Sequence, residues 1–120
     1  MKVAITAQGP DLTSQVDPRF GRAKSFVVLE TDTDEFSVHE NTQNINAAQG
    51  AGIQAGRTVV DLGVEAVVTG NIGPKAFATL QAAKVKVHPG ATGTVKEALE
   101  KFKAGELPPA DGANVQGHWM

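Results

Sequence analysis

A change of hydrophobic period near residue 47 constrains this chain more than any other feature. Before it stand three runs of strand character, Lys2–Thr6, Ser25–Glu30 and Glu35–Glu40; after it, helix-period segments alternate with short apolar runs. The polar link Thr31-Asp32-Thr33-Asp34 joins the second and third runs as a hairpin, which predicts an antiparallel pair. From Ala47 onward, Ile53, Val59, Val60 and Leu62 fall on one helical stripe that ends at Gly63, a C′ glycine. Ala66–Thr69 reads as a buried strand. Gly73-Pro74-Lys75 then opens a helix with Ala76, Phe77 and Leu80 facing inward. Val85–Val87 is a further strand. Thr94 and Glu97 form a capping box for a helix over Val95–Lys103, closed by Gly105.

The order β-β-β-α-β-α-β-α, with right-handed crossovers, predicts an α/β fold. Its sheet is mixed and five-stranded, with one antiparallel strand on an edge side and about three helices packed against it. A single domain is expected over 1–106. From Leu107 to Asn114 periodicity is lost, so 107–120 is expected to be a flexible tail.

Composition narrows the chemistry. Cysteine is absent, which removes disulfides, thiol catalysis, cysteine-ligated zinc and cysteine-held iron–sulfur clusters. A net charge of -2 without a basic stripe opposes general nucleic-acid binding. No run approaches the roughly 18 apolar residues of a membrane span, and Met1–Thr6 is too short for a signal-peptide core, so a cytoplasmic protein is expected. With no large apolar face left over, a monomer is expected.

Against that acidic balance, Val16–Lys24 gathers Arg19, Arg22 and Lys24 beside Phe20, which reads as exposed. Gly21 permits a sharp turn between two guanidinium forks suited to oxyanions, and Asp17 can pair with either arginine. In a sheet of this kind ligands sit at the carboxyl ends of parallel strands. Gly9–Lys24, Asn44–Ile53, Thr69–Lys75 and His88–Thr94 should converge there. Gly50 and Gly52 lead into one helix N-terminus; Gly70, Asn71, Ile72 and Gly73 lead into another, where Lys75 adds charge. The Gly50-x-Gly52-x-x-x-Gly56 spacing is one residue too long for a dinucleotide fingerprint, and no Gly-Lys-Ser/Thr follows Gly70. Carboxylates for two-metal nuclease work are missing from Lys2–Thr6, and neither Ser14 nor Ser25 has a neighbouring histidine. A binding protein rather than an enzyme is the expectation. His39, His88 and His118 lack metal-ligand spacing; His88 is the only candidate ligand, and a surface histidine is its plainer reading.

Val16-Asp17-Pro18-Arg19-Phe20-Gly21-Arg22-Ala23 with Phe26 resembles the opening signature of the dinitrogenase iron-molybdenum cofactor biosynthesis family. So do Gly50-Ala51-Gly52-Ile53, Val67 through Ala76, and Thr94 through Leu99 with Gly105, in the same order along 1–106. The resemblance implies a ribonuclease H-like fold without nuclease chemistry, in small proteins of anaerobes that bind or carry metal–sulfur clusters. For a form without cysteine it implies a noncovalently held molybdenum–copper sulfide cluster, or alternatively the iron-molybdenum cofactor or its precursor. Such a cluster is an anion that brings its own sulfide ligands, so it needs charge neutralisation and N–H donors rather than thiols. Arg19, Arg22 and Lys75 are expected to supply charge, backbone N–H groups around Gly21, Gly50–Gly52 and Asn71–Gly73 the donors, and Phe20 and Ile72 an apolar wall. Expected partners are cofactor-assembly proteins. A module for a P-loop ATPase with no obligatory metal is the alternative from another class.

Overall fold

The structure, a computed structural model, describes residues 1–41 and 50–113. Its sheet is built from β1 (Lys2–Ala7), β2 (Ser25–Glu30), β3 (Phe36–Glu40), β4 (Ala66–Val68) and β5 (Lys86–His88), in the order β3-β2-β1-β4-β5. β1, β4 and β5 are parallel, and β2 pairs antiparallel with both β1 and β3. The predicted mixed five-stranded sheet is therefore present. The reversed strand β2 lies inside the sheet, however, one place in from the edge. Phe26 and Val28 project to one side of it and Val27 and Leu29 to the other, all buried. A strand apolar on both faces needs a neighbour on each edge. β3, largely exposed, takes the edge instead.

The helices are α1 (Ala51–Asp61), α2 (Pro74–Ala82) and α3 (Val95–Lys103). Ala4, Phe26, Val28 and Val67 pack under α1 and α2 with Val59, Phe77 and Leu80. Val3, Ile5, Val27, Leu29 and Val68 pack on the other side with Val95, Ala98 and Leu99 of α3. The period-2 alternation of the strands thus feeds two cores, and the helices divide two against one.

Two local expectations change. On α1 the buried positions are Ala51, Ala55, Gly56 and Val59, whereas Ile53, Val60 and Leu62 are half-buried. Close approach of α2 is the cause. A Cβ on Gly56 would stand 3.0 Å from Thr79 Cγ2, and one on Gly52 3.1 Å from Ala76 Cβ. Small residues therefore form the seam that larger apolar ones were expected to fill. The predicted start of this helix, Ala47–Gln49, falls outside the described residues.

The second change is at the C-terminus. Packing continues past Glu106: Leu107 is buried in the α3-side core, Ala110 packs on the other core, and Ala110 N donates to Val87 O at 2.8 Å. A free β5 edge and an apolar Leu107 were enough to recruit a segment that has no periodicity of its own. Residues 114–120 of the expected tail, with His118 and Trp119, lie outside the described residues.

α3 opens as expected. Thr94 Oγ1 accepts from Glu97 N at 3.1 Å, and Thr94 N donates to Glu97 Oε1 at 2.9 Å. The Thr94 backbone N–H, followed by its hydroxyl, holds the Glu97 carboxyl below the usual carboxylate range. Thr94→Ala should lower stability by about 1 kcal/mol in chemical denaturation. A depressed carboxylate stabilises the fold above its unfolded pKa, and that contribution disappears as pH falls through the folded value. Glu97→Gln should accordingly be less stable than wild type at neutral pH, with the gap closing on acidification. A gap that stays constant from neutral pH to below the unfolded carboxylate value would contradict this assignment.

Candidate functional site

At the carboxyl ends of β1 and β4 the chain is closed by buried polar contacts. Thr6 Oγ1 lies 2.8 Å from both Asp17 O and Thr69 Oγ1, and Asp17 N donates to Thr6 O at 2.9 Å. Thr6 and Thr69 are fully buried, and Asp17 is buried beside them. The long loop after β1 is partly regular. Val16 bridges back to Ala7, Gln15 bridges to Thr94, and Val16 N donates to Gly93 O. Asp11 organises its first half, accepting from the Thr13 N–H and the Thr13 and Ser14 hydroxyls; the Thr13 hydroxyl is the main cause of its lowered pKa.

From Asp17 the loop becomes the rim of the site. Asp17 Oδ1 accepts from Arg19 N at 2.9 Å, an Asx-type turn across Pro18, and stands 3.6 Å from Arg19 Nε. Of the two possible partners, Arg19 pairs with the buried carboxylate, while its side chain stays 44% exposed and so can meet a ligand. Pro18 O accepts from both the backbone N (2.8 Å) and Nδ2 (3.1 Å) of Asn71, and Phe20 N returns a bond to Asn71 O. The loop and the turn from β4 to α2 are therefore stitched together. A Cβ on Gly70 would lie 2.7 Å from Pro18 Cα, and one on Gly21 2.8 Å from Gly52 N and Cα. Glycine is required at both because backbone meets backbone. Gly90 N and Ala91 N donate to Gly70 O and Thr69 O, bringing in the segment after β5. The expected convergence is thus seen for the described segments; 44–49 lie outside them.

Two helix N-termini point into this junction. Gly50, at φ 78°, precedes α1, and Gly73 precedes α2. Neither helix has a side-chain cap, and neither has an acidic residue in its first turn. α3, on the opposite face, has both. Among the described residues, the partial positive ends of α1 and α2 thus have neither a side-chain cap nor a first-turn acid. Lys75 stands exposed in the first turn of α2, and Arg22 is half-buried in the loop.

Several candidate residues occupy other places than expected. Phe20 is not exposed: it is fully buried, its ring 5.9 Å from that of Phe26. Ile72 is likewise wholly within the core. Both support the loop and the turn from beneath, so they do not wall a ligand pocket. His88 is engaged elsewhere, with Nδ1 2.6 Å from Leu107 O and its ring edge-on to Phe102 at 4.8 Å. A carbonyl only accepts, so Nδ1 carries the proton. Among the described residues no three His, Asp or Glu side chains cluster to hold a metal ion, and no helix is long and apolar enough to cross a membrane.

Sequence reasoning missed Asn41. It is 1% exposed, and its Nδ2 donates to Gly21 O and Ala23 O. A polar residue just after a strand carries no signal that it will turn inward.

Known proteins share this fold. The apo orange protein of Desulfovibrio gigas superposes with a TM-score of 0.93 at 41% identity, covering 95% of this chain and 96% of that one. A Thermotoga protein described as a candidate NifB protein gives a TM-score of 0.83 at 39% identity, over 97% and 98% of the two chains. An uncharacterized protein of Methanocaldococcus jannaschii is 28% identical over 109 residues, 89% of each chain. The family model for the dinitrogenase iron-molybdenum cofactor matches residues 1–105, and the chain belongs to that family.

Proposed function

We propose that this protein binds and carries, without covalent attachment, a preassembled anionic molybdenum–copper sulfide cluster. The observation that carries the reading is the meeting of two uncapped, acid-free helix N-termini with the arginine loop. A cargo that brings its own sulfides asks the protein for donors and positive charge, which a cysteine-free chain can provide. Arg19, Arg22 and Lys75 supply full charges, and the first turns of α1 and α2 supply main-chain N–H groups; the Asn71 N–H, expected among the donors, is instead given to Pro18 O.

Magnitudes support a shared grip. Micromolar retention needs about 8 kcal/mol. A hydrogen bond to a charged group contributes about 1.5–3 kcal/mol, and a helix terminus up to about 2 kcal/mol in a partly buried setting. No single arginine suffices, but two helix ends and a few charged contacts do. The strand order with one reversed strand supports a ribonuclease H-like frame. The family description favours a second reading, carriage of the iron-molybdenum cofactor or its precursor between assembly proteins through the same site.

Protein mixed anaerobically with tetrathiomolybdate and a copper salt should retain visible absorbance through gel filtration. Arg19→Ala and Arg22→Ala should each weaken retention by about 10-fold or more, one charged contact's worth, with much smaller changes in denaturation midpoint. If both variants hold colour as wild type does, this loop is not the site. Preferential uptake of isolated iron-molybdenum cofactor would favour the second reading. Copurification of a P-loop ATPase by the cluster-free protein, unchanged on loading, would favour an interaction module.

A further inference from the structure

Asn41 follows β3 at the margin of the site, and its side chain is buried. Its Nδ2 lies 3.2 Å from Gly21 O and 2.9 Å from Ala23 O, and its backbone N–H donates to Lys24 O at 3.0 Å. A carboxamide nitrogen carries two hydrogens, so this fork holds two alternate carbonyls of the cationic loop on one side. The described chain has no cis peptide bond. In a trans peptide the C=O and N–H point in opposite directions, so the N–H groups of Arg22 and Lys24 are turned away from Asn41.

We propose that Asn41 is a positioning residue for anion binding: its carboxamide keeps the Gly21 and Ala23 carbonyl oxygens turned inward and so sets the donor face of the arginine loop. A carbonyl oxygen carries partial negative charge. Released from Asn41, either one could swing toward a polyanion and repel it. Asp17 anchors the start of the same loop through the Arg19 N–H, so the loop is held at both ends by buried polar side chains. The inference rests on the cargo reading and adds a residue that itself need not touch the cargo.

Asn41→Asp keeps the shape but replaces both donors with an acceptor facing two carbonyls. Asn41→Ala removes the fork, and Asn41→Ser leaves one donor. Leu99→Ala, which loosens α3 within the core of the opposite face, controls for lost stability. Each protein is loaded with tetrathiomolybdate and copper, and the loss of visible absorbance is followed after dilution. The amide resonances of the cluster-free proteins are recorded alongside. Expected are resonance changes centred on Gly21–Lys24 and loss of colour at least about tenfold faster for Asn41→Asp and Asn41→Ala. Asn41→Ser should fall between, and Leu99→Ala should match wild type. Should Asn41→Asp not fold, Asn41→Ala and Asn41→Ser carry the same comparison. Release from the Asn41 variants no faster than from Leu99→Ala overturns the inference and leaves the cargo reading standing. A wild type that never retains the probe removes both.

Discussion

The contact on which the rest of the site depends is backbone against backbone, where Pro18 lies over Gly70 with no room for a side chain between them. Asn71 closes it with two hydrogen bonds to a single carbonyl, and the paired Thr6 and Thr69 hydroxyls close it from beneath. A loop this long would ordinarily sample many conformations. Here its second half is bonded to the ends of two strands, and Gly21 lies against the first turn of α1. Arginine side chains on such a loop start from a fixed base, so less conformational freedom is lost when a ligand arrives.

Electrostatic asymmetry follows from where the acids are. α3 satisfies its N-terminus internally through Thr94 and Glu97, while α1 and α2 begin at glycines with no acid within a turn. Asp17, beside Arg19, is spent on the Arg19 N–H and guanidinium, and its burial keeps it from facing solvent at the rim. The result is a local positive region on a chain whose total charge is -2.

Much of the frame was legible because period and punctuation agreed. β2, α3 with its capping box, Gly63 and Gly105 all stand where strand alternation, helix caps and C′ glycines place them. What was not legible depends on partners distant in sequence. Phe20 sits among charged residues and looks exposed, yet the loop folds back and buries it against Phe26. Ile53 belongs to the apolar stripe, yet Gly56 takes the deeper place because α2 passes so close. Asn41 carries no local signature because its partners lie some twenty residues earlier. Leu107–Ala110 has no period, and it packs only because β5 offers an open edge.

That last segment bears on how copies of this molecule meet. An unprotected sheet border is a template on which neighbouring chains can polymerise. Ala110 occupies a hydrogen-bonding position on the β5 border. The β3 border is only five residues long, ends in Glu40 and follows Glu35, so a like strand approaching it would bring carboxylates toward carboxylates. Both flanks of the sheet thus discourage fibril-like stacking, one by occupation and the other by charge.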